Sequence, residues 1–301
     1  MPRRNRRRAP QSKTSMTIIY DTLRNWPIAP VEQTFSKRDT MLYALGIGLG
    51  ADPLDTHQLK FVYEENLLAL PTMAITLGYP GAWFAHPDTG ITRTHTVHGE
   101  QSFVIHKPLP VEGSIIGRNR ITDLIDKGEG RGAILLTECT VTDKASGAAI
   151  CTWNSSLFCR ADGGFGGPSI PTPPPHPIPA SAPDAVCDLA TLPQAALIYR
   201  LSGDYNPLHA DPAYAAKAGF KAPILHGRCT FGVAGHALVK TLCDYDPSRL
   251  LSMAGRFSSP VYPGEVIRTE MWRAGNVITF RSTVPARGVT VLNHGRAEIR
   301  N

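Results

Sequence analysis

Residues 161–183 cannot form a helix interior or a central strand. Gly163, Gly164, Gly166 and Gly167 surround Phe165, and eight prolines follow from Pro168 to Pro183. Proline removes a backbone donor and clashes with the preceding helical turn, and in sheets it is confined to edges and bulges. The stretch reads as a stiff, extended connector. Whatever this chain folds into must therefore be assembled from one half before it and one half after it. With 301 residues, each half is long enough to bury a core. The expected division is a basic tail over 1–15, an N-terminal unit over 16–160, the connector over 161–183 and a C-terminal unit over 184–301.

The two halves repeat one order of elements. In the first, residues 37–49 carry a helical pattern, and the apolar stretch 67–77 reads as a longer helix broken at Pro71. Strand-like runs follow over 95–106, 114–124, 133–142 and 148–159. In the second, residues 194–201 are helical. Asp211-Pro212 has the N-cap and first-turn signature of a short helix ending at Gly219. A long apolar helix runs from Gly227 to Leu242, and strands follow over 252–257, 266–272, 277–284 and 289–298. A long helix followed by antiparallel strands, twice, is an α+β arrangement in which each sheet wraps a helix. The small residues of the long helix (Gly232, Ala234, Gly235, Ala237) let the sheet curl close around it, although ordinary helix packing explains them nearly as well.

Charge and cysteine content remove several function classes. Six cations and no acid fall within residues 1–15, and they equal the formal net charge of +6. The remainder is neutral and offers no basic face for nucleic acid. The tail reads as disordered, as a start displaced from Met16, or as an Arg-rich targeting segment. No apolar run approaches the roughly 20 residues that span a bilayer. The six cysteines form no C-x-x-C pair and flank no histidine cluster at zinc spacing, so no metal is expected. They read as reduced, partly buried thiols in a reducing compartment such as the cytoplasm, and the terminal residues 298–301 are not a peroxisomal address.

The chemistry concentrates in residues 199–232. Asp204 and His209 stand five positions apart in Gly203-Asp204-Tyr205-Asn206-Pro207-Leu208-His209, where Asn-Pro forbids a continuous helix. The resulting turn can aim a carboxylate and an imidazole at one water, which is a general acid/base arrangement. Gly227 opens the long helix, where a backbone N–H and the helix dipole suit a developing oxyanion. Water addition to a polarised double bond needs these three groups. On residue types alone, a capping Asp and a hydrogen-bonded structural His remain open alternatives. His226, beside Gly227, fits a structural contact and a substrate contact equally, and Asp211 reads as a cap.

Residues 199–209 resemble the signature of the (R)-specific enoyl-CoA hydratases, or hydratase 2, within the MaoC-like group. So do Tyr43-Ala44-Leu45-Gly46-Ile47-Gly48, Lys60-Phe61-Val62-Tyr63-Glu64, His98-Gly99-Glu100-Gln101, Lys107-Pro108-Leu109-Pro110, Asp126-Lys127-Gly128 and Pro260-Val261-Tyr262-Pro263-Gly264. The resemblance implies a double hot dog fold and reversible hydration of a trans-2-enoyl-CoA to a (3R)-3-hydroxyacyl-CoA, as in fatty acid β-oxidation. No cofactor or metal is implied, and the expected assembly is a homodimer. It implies that Asp204 and His209 activate the water, Gly227 supplies the oxyanion N–H, Asn206 orients the pair and Glu64 supports catalysis. His98, Gly99, Lys127 and Phe257 fall where the family contacts the acyl-CoA. The N-terminal unit lacks the Asp-x-Asn-Pro-x-His pattern, which implies that it shapes the acyl pocket instead.

Three rival readings remain. A hydratase for a small branched or dicarboxylic enoyl-CoA, of the mesaconyl-CoA type, would want an arginine near the acyl tail, for which Arg228 and Arg256 are candidates. A hot-dog thioesterase is disfavoured by the Asp204-to-His209 spacing. A non-catalytic acyl-CoA-binding subunit is disfavoured by the intact pair.

Overall fold

The computed structural model describes residues 17–301, so the readings of the basic tail fall outside the described residues. Ten antiparallel strands form one continuous sheet in the order β1-β3-β4-β5-β2-β7-β10-β9-β8-β6. They are β1 (Val31–Phe35), β2 (Thr96–Ile105), β3 (Gly113–Asp126), β4 (Ala133–Asp143), β5 (Ala149–Cys159), β6 (Ala185–Ala190), β7 (Leu250–Phe257), β8 (Val266–Ala274), β9 (Val277–Val284) and β10 (Val289–Ile299). Helices α1 (Tyr20–Arg24), α2 (Lys37–Gly46) and α3 (Thr56–Leu59) belong to the first half. Helices α4 (Ala195–Tyr199), α5 (Pro212–Lys217) and α6 (Gly227–Leu242) belong to the second.

Read outwards from the middle, each half orders its five strands identically: the second, fifth, fourth, third and first of its own set. The halves meet edge to edge where β2 pairs with β7, with Glu100 opposite Arg256 and Phe103 opposite Met253. This is the double hot dog. The first strand of each unit is one that residue patterning does not pick out. Both β1 and β6 are short, half-exposed edge strands whose alternation spans only five and six residues.

The two units differ in what their sheets wrap. In the second unit α6 runs its full sixteen residues and is buried from Arg228 to Val239. In the first unit, the helix expected over 67–77 is a 3-10 segment, Pro71–Thr76, with every residue buried. Pro71 fixes its start, and the sheet prevents its continuation. Trp153 Nε1 donates to Leu77 O at 2.9 Å, and Asn119 Nδ2 donates to Gly78 O at 2.9 Å. Gly78 itself turns away at φ +66°. These carbonyls are satisfied by side chains of the sheet and not by a following helical turn.

The small residues of α6 are explained by the other unit as well as by the sheet. A Cβ on Gly232 would lie 2.7 Å from Ile47 Cγ2 and 2.8 Å from the Tyr43 hydroxyl, and one on Gly235 would collide with Thr72. Of the two readings of these residues, helix packing accounts for Gly232 and Gly235: they admit α2 and the 3-10 segment. The Gly/Pro-rich stretch has no regular structure, but it is anchored at both ends. Asp126 accepts from Gly128, Gly164 and Gly166 N–H groups, and His176 Nε2 lies 2.7 Å from Thr279 Oγ1.

Candidate active site

Gly203, at φ +112°, turns the chain out of the 3-10 extension of α4 at Arg200–Ser202. That left-handed conformation is readily open to glycine. Asn206 then lies before Pro207 and cannot remain helical. Its Oδ1 accepts from Leu208 N at 3.1 Å and caps the 3-10 turn Pro207–His209. Asp204 Oδ1 accepts from Asn206 N at 3.2 Å. The Asn206 side chain thus sets the turn that presents both ends of the pair.

His209 is buried, with Nδ1 2.8 Å from Ile224 O. A carbonyl can only accept, so Nδ1 carries the proton and Nε2 keeps its lone pair. The His226 ring stacks on the His209 ring with centroids 3.7 Å apart. His226 Nε2 donates to the Asp204 backbone oxygen at 3.0 Å. The side-chain ligand atoms of Asp204, His209 and His226 all lie within 4.8 Å of one another. The bent segment therefore brings Asp204 and His209 together, with His226 as a third member. Among the described residues, this is the group whose donors converge closely enough to hold a cation as well as a water.

Burial raises the Asp204 pKa, but the His226 and His209 imidazoles, the Arg228 guanidinium and the Asn206 N–H outweigh it, and the carboxyl sits below its ordinary range. Burial lowers the His209 pKa, against the opposing pull of Ile224 O and Asp204. Burial also pushes His226 down, to about 3. At neutral pH the group is one carboxylate facing two neutral imidazoles.

His226 is the N-cap of α6 and gives it no side-chain capping bond. The first N–H groups of a helix have no intrahelical acceptor, so Gly227 N–H stands at the positive end of the α6 dipole, directly after His226. The Phe257 ring covers this end: a Cβ on Gly227 would lie 3.3 Å from it. The His98 ring packs on Phe257 at 4.6 Å. Gly99 is the extra residue of a bulge between His98 and Glu100, and a Cβ there would sit 2.7 Å from Ser156 Oγ. His98, Gly99, Phe257 and Gly227 thus gather across the β2–β7 seam.

Two expected residues are not brought to the pair. Lys127 lies in the β3–β4 turn, three strands from β2, although at the same end of the sheet as the start of β2. Glu64 is exposed in the turn after α3 and forms no ion pair with the site among the described residues. The site also has an aromatic wall that sequence reasoning did not reach. The Arg228 guanidinium lies 4.2 Å from the Tyr79 ring centroid and 5.2 Å from that of Trp153. Both rings come from the other unit, so no local motif could signal them. Arg256, the alternative arginine, is held at the surface by Glu100 at 2.6 Å.

Residues 33–161 match the MFE-2 hydratase 2 N-terminal domain, and residues 175–294 match the MaoC like domain. A probable enoyl-CoA hydratase 2 from Dictyostelium discoideum is 41% identical over 94% of this chain and 97% of its own length. The chain belongs to the hydratase 2 branch of the MaoC-like family. An enoyl-CoA hydratase 2 from Arabidopsis thaliana, described as peroxisomal, is 40% identical over 89% of this chain and 91% of its own. The crystal structure of a MaoC-like dehydratase from Phytophthora capsici superposes with a TM-score of 0.81 at 35% identity, covering 93% of this chain and 98% of that one. The chain is accordingly an enzyme of the hydro-lyase class. Among the described residues, no helix is long and apolar enough to cross a membrane.

Proposed function

We propose that this enzyme reversibly hydrates trans-2-enoyl-CoA thioesters to (3R)-3-hydroxyacyl-CoA, with Asp204 and His209 as the acid/base pair and Gly227 N–H as the oxyanion donor. The observation that carries the reading is the convergence of Asp204, His209 and His226 within 4.8 Å, immediately before an uncapped helix start. Water held between the carboxylate and the unprotonated His209 Nε2 loses a proton to the pair as its oxygen bonds to C3. The electron pair of the double bond moves towards the thioester carbonyl, whose oxygen is stabilised by Gly227 N–H. The pair then returns a proton to C2, and the Asp204–His209 unit ends as it began. His226 holds the Asp204 backbone by its Nε2 bond and so fixes one end of the pair. Asn206 positions the turn. His98, Gly99 and Phe257 form the surface on which the thioester lies, with Lys127 towards the CoA end and Glu64 in a supporting place at the periphery.

A homodimer in the cytoplasm, acting in fatty acid metabolism, completes the proposal. Six buried, unpaired cysteines support a reducing compartment. The test is loss of enoyl-thioester absorbance when purified enzyme is mixed with crotonyl-CoA or longer 2-enoyl-CoAs, followed by chiral analysis of the product. Turnover to the (R) alcohol is expected. An (S) product would contradict the assignment, and binding without turnover would favour an acyl-CoA-binding role.

A further inference from the structure

Arg228 donates to no reacting atom in that hydration step, yet it is the second residue of α6 and only 8% exposed. Among the described residues it enters no ion pair. Its neighbours are the faces of Tyr79 and Trp153. Aromatic faces attract the cation, but the five N–H donors of a guanidinium lie in its plane and want acceptors. Buried polar groups are normally hydrogen-bonded. The Arg228 nitrogens are not among the sealed, unpartnered atoms of the interior, whereas Arg200 Nε and His226 Nδ1 are. They are therefore not sealed off completely, and an acceptor on a bound ligand could take the place of the water that reaches them.

The position of that acceptor follows from the fold. Tyr79 comes just after the 3-10 segment that stands where the second unit has α6, and Trp153 is tied to Leu77 O. The wall under Arg228 is thus the first unit's side of the site. The guanidinium is near enough to Asp204, His98 and Tyr79 to bias all three electrostatically. With the thioester oxygen at Gly227 N–H and C3 at the pair, the rest of the acyl chain passes on towards this wall. A plain alkyl chain there would leave the guanidinium cut off from water without an acceptor. A carboxylate would accept two of its donors side by side.

We propose that Arg228 receives a carboxylate at the far end of the acyl group, so that the site prefers 2-enoyl thioesters carrying a second carboxyl group. The inference rests on the hydratase reading for where the thioester lies.

The experiment compares kcat/KM for ω-carboxy-2-enoyl-CoAs of five to eight carbons with unsubstituted 2-enoyl-CoAs of the same lengths, using wild type, Arg228→Leu and Arg228→Lys. Both series carry the same CoA, so their ratio reads the acyl end alone. Wild type is expected to favour the carboxylated substrate at one length or more. Arg228→Leu should shift the ratio about ten- to a hundredfold towards the unsubstituted one, as loss of a charge-assisted hydrogen bond would. Arg228→Lys should keep part of the preference. A wild-type preference for unsubstituted chains at every length, with a ratio unmoved in Arg228→Leu, overturns the inference and leaves the hydratase reading intact. Binding of the saturated analogues glutaryl-CoA and butyryl-CoA, by calorimetry, separates the two ideas. Tighter glutaryl-CoA binding that Arg228→Leu abolishes, without turnover of any enoyl-CoA, keeps the recognition and overturns the hydratase reading. Thermal melts of each variant confirm that it is folded.

Discussion

At the residue scale, the site is a set of proton positions fixed by the backbone. Ile224 O holds the proton on His209 Nδ1, and the Asp204 backbone oxygen holds the proton on His226 Nε2. Asp204→Asn keeps the side-chain shape and removes the charge; His209→Ala removes the lone pair. Each is expected to lower kcat at least about a hundredfold, the scale of general acid–base assistance, while still folding; His209→Ala should melt somewhat lower, since Ile224 O loses its donor. A variant with wild-type kcat would remove that residue from the pair. The pH dependence has a definite sign. Burial lowers the His209 pKa, so the unprotonated Nε2 persists below the ordinary 6.5. The acid limb of the kcat/KM profile should therefore be centred below pH 6.5. An acid limb centred at or above 6.5 would mean a solvated histidine. Because this chemistry needs no ion, prolonged dialysis against EDTA should leave the rate unchanged. A loss that one divalent cation restores would reassign Asp204, His209 and His226 as metal ligands.

At the scale of elements, the helix caps were readable from residues and the packing across units was not. Asp211-Pro212 announced α5, and Asp211 indeed accepts from Ala213 and Tyr214 N–H groups. Asp211→Ala is expected to cost about 1 kcal/mol in urea unfolding. The bounds of α6 were legible because a glycine begins it and a continuous apolar run sustains it. Its neighbours were not, because Tyr43, Ile47 and Thr72 approach it from well over a hundred residues away in the chain. Tyr79 and Trp153 beneath Arg228 were hidden in the same way, because both come from the other unit. The 3-10 segment was half legible: Pro71 marked a break, but the capture of Leu77 O and Gly78 O by Trp153 and Asn119 depends on a sheet not yet formed. Gly232→Ala tests the packing. Helix propensity alone favours alanine by about 1 kcal/mol, whereas overpacking a full interior costs about 1–3 kcal/mol. With Ile47 and Tyr43 themselves buried and a Cβ 2.7 Å from Ile47 Cγ2, the overpacking should win. A lower urea midpoint is expected; a raised one would show that α2 moves aside freely.

At the scale of the whole molecule, the seam between units unites the site and a buried store of neutral histidines. The sheet is continuous through β2–β7, and α6 is packed by both units, so opening the seam exposes His226 and His236 together. Burial pushes His226 down to about 3 and His236 to about 4. Above pH 6.5 both folded and unfolded chains hold these rings neutral, and stability does not depend on them. Below 6.5 the unfolded chain takes up protons that the folded chain refuses, so stability falls as pH falls, by about 1.4 kcal/mol per pH unit for each histidine. Asp204, with its pKa lowered in the fold, adds to the loss only near and below the ordinary carboxylate range. Since a domain's whole stability is typically about 5–15 kcal/mol, two histidines over two pH units remove a substantial share. Melting temperature should be level between pH 8 and 6.5 and decline steeply from 6 to 4.5. His236→Phe keeps a ring beside Tyr245 and removes one titrating group, so its slope should be shallower while kcat at pH 7.5 stays close to wild type. An unchanged slope would place the acid-sensitive group elsewhere, and a wild-type melt level down to pH 4.5 would show that the seam admits protons without unfolding.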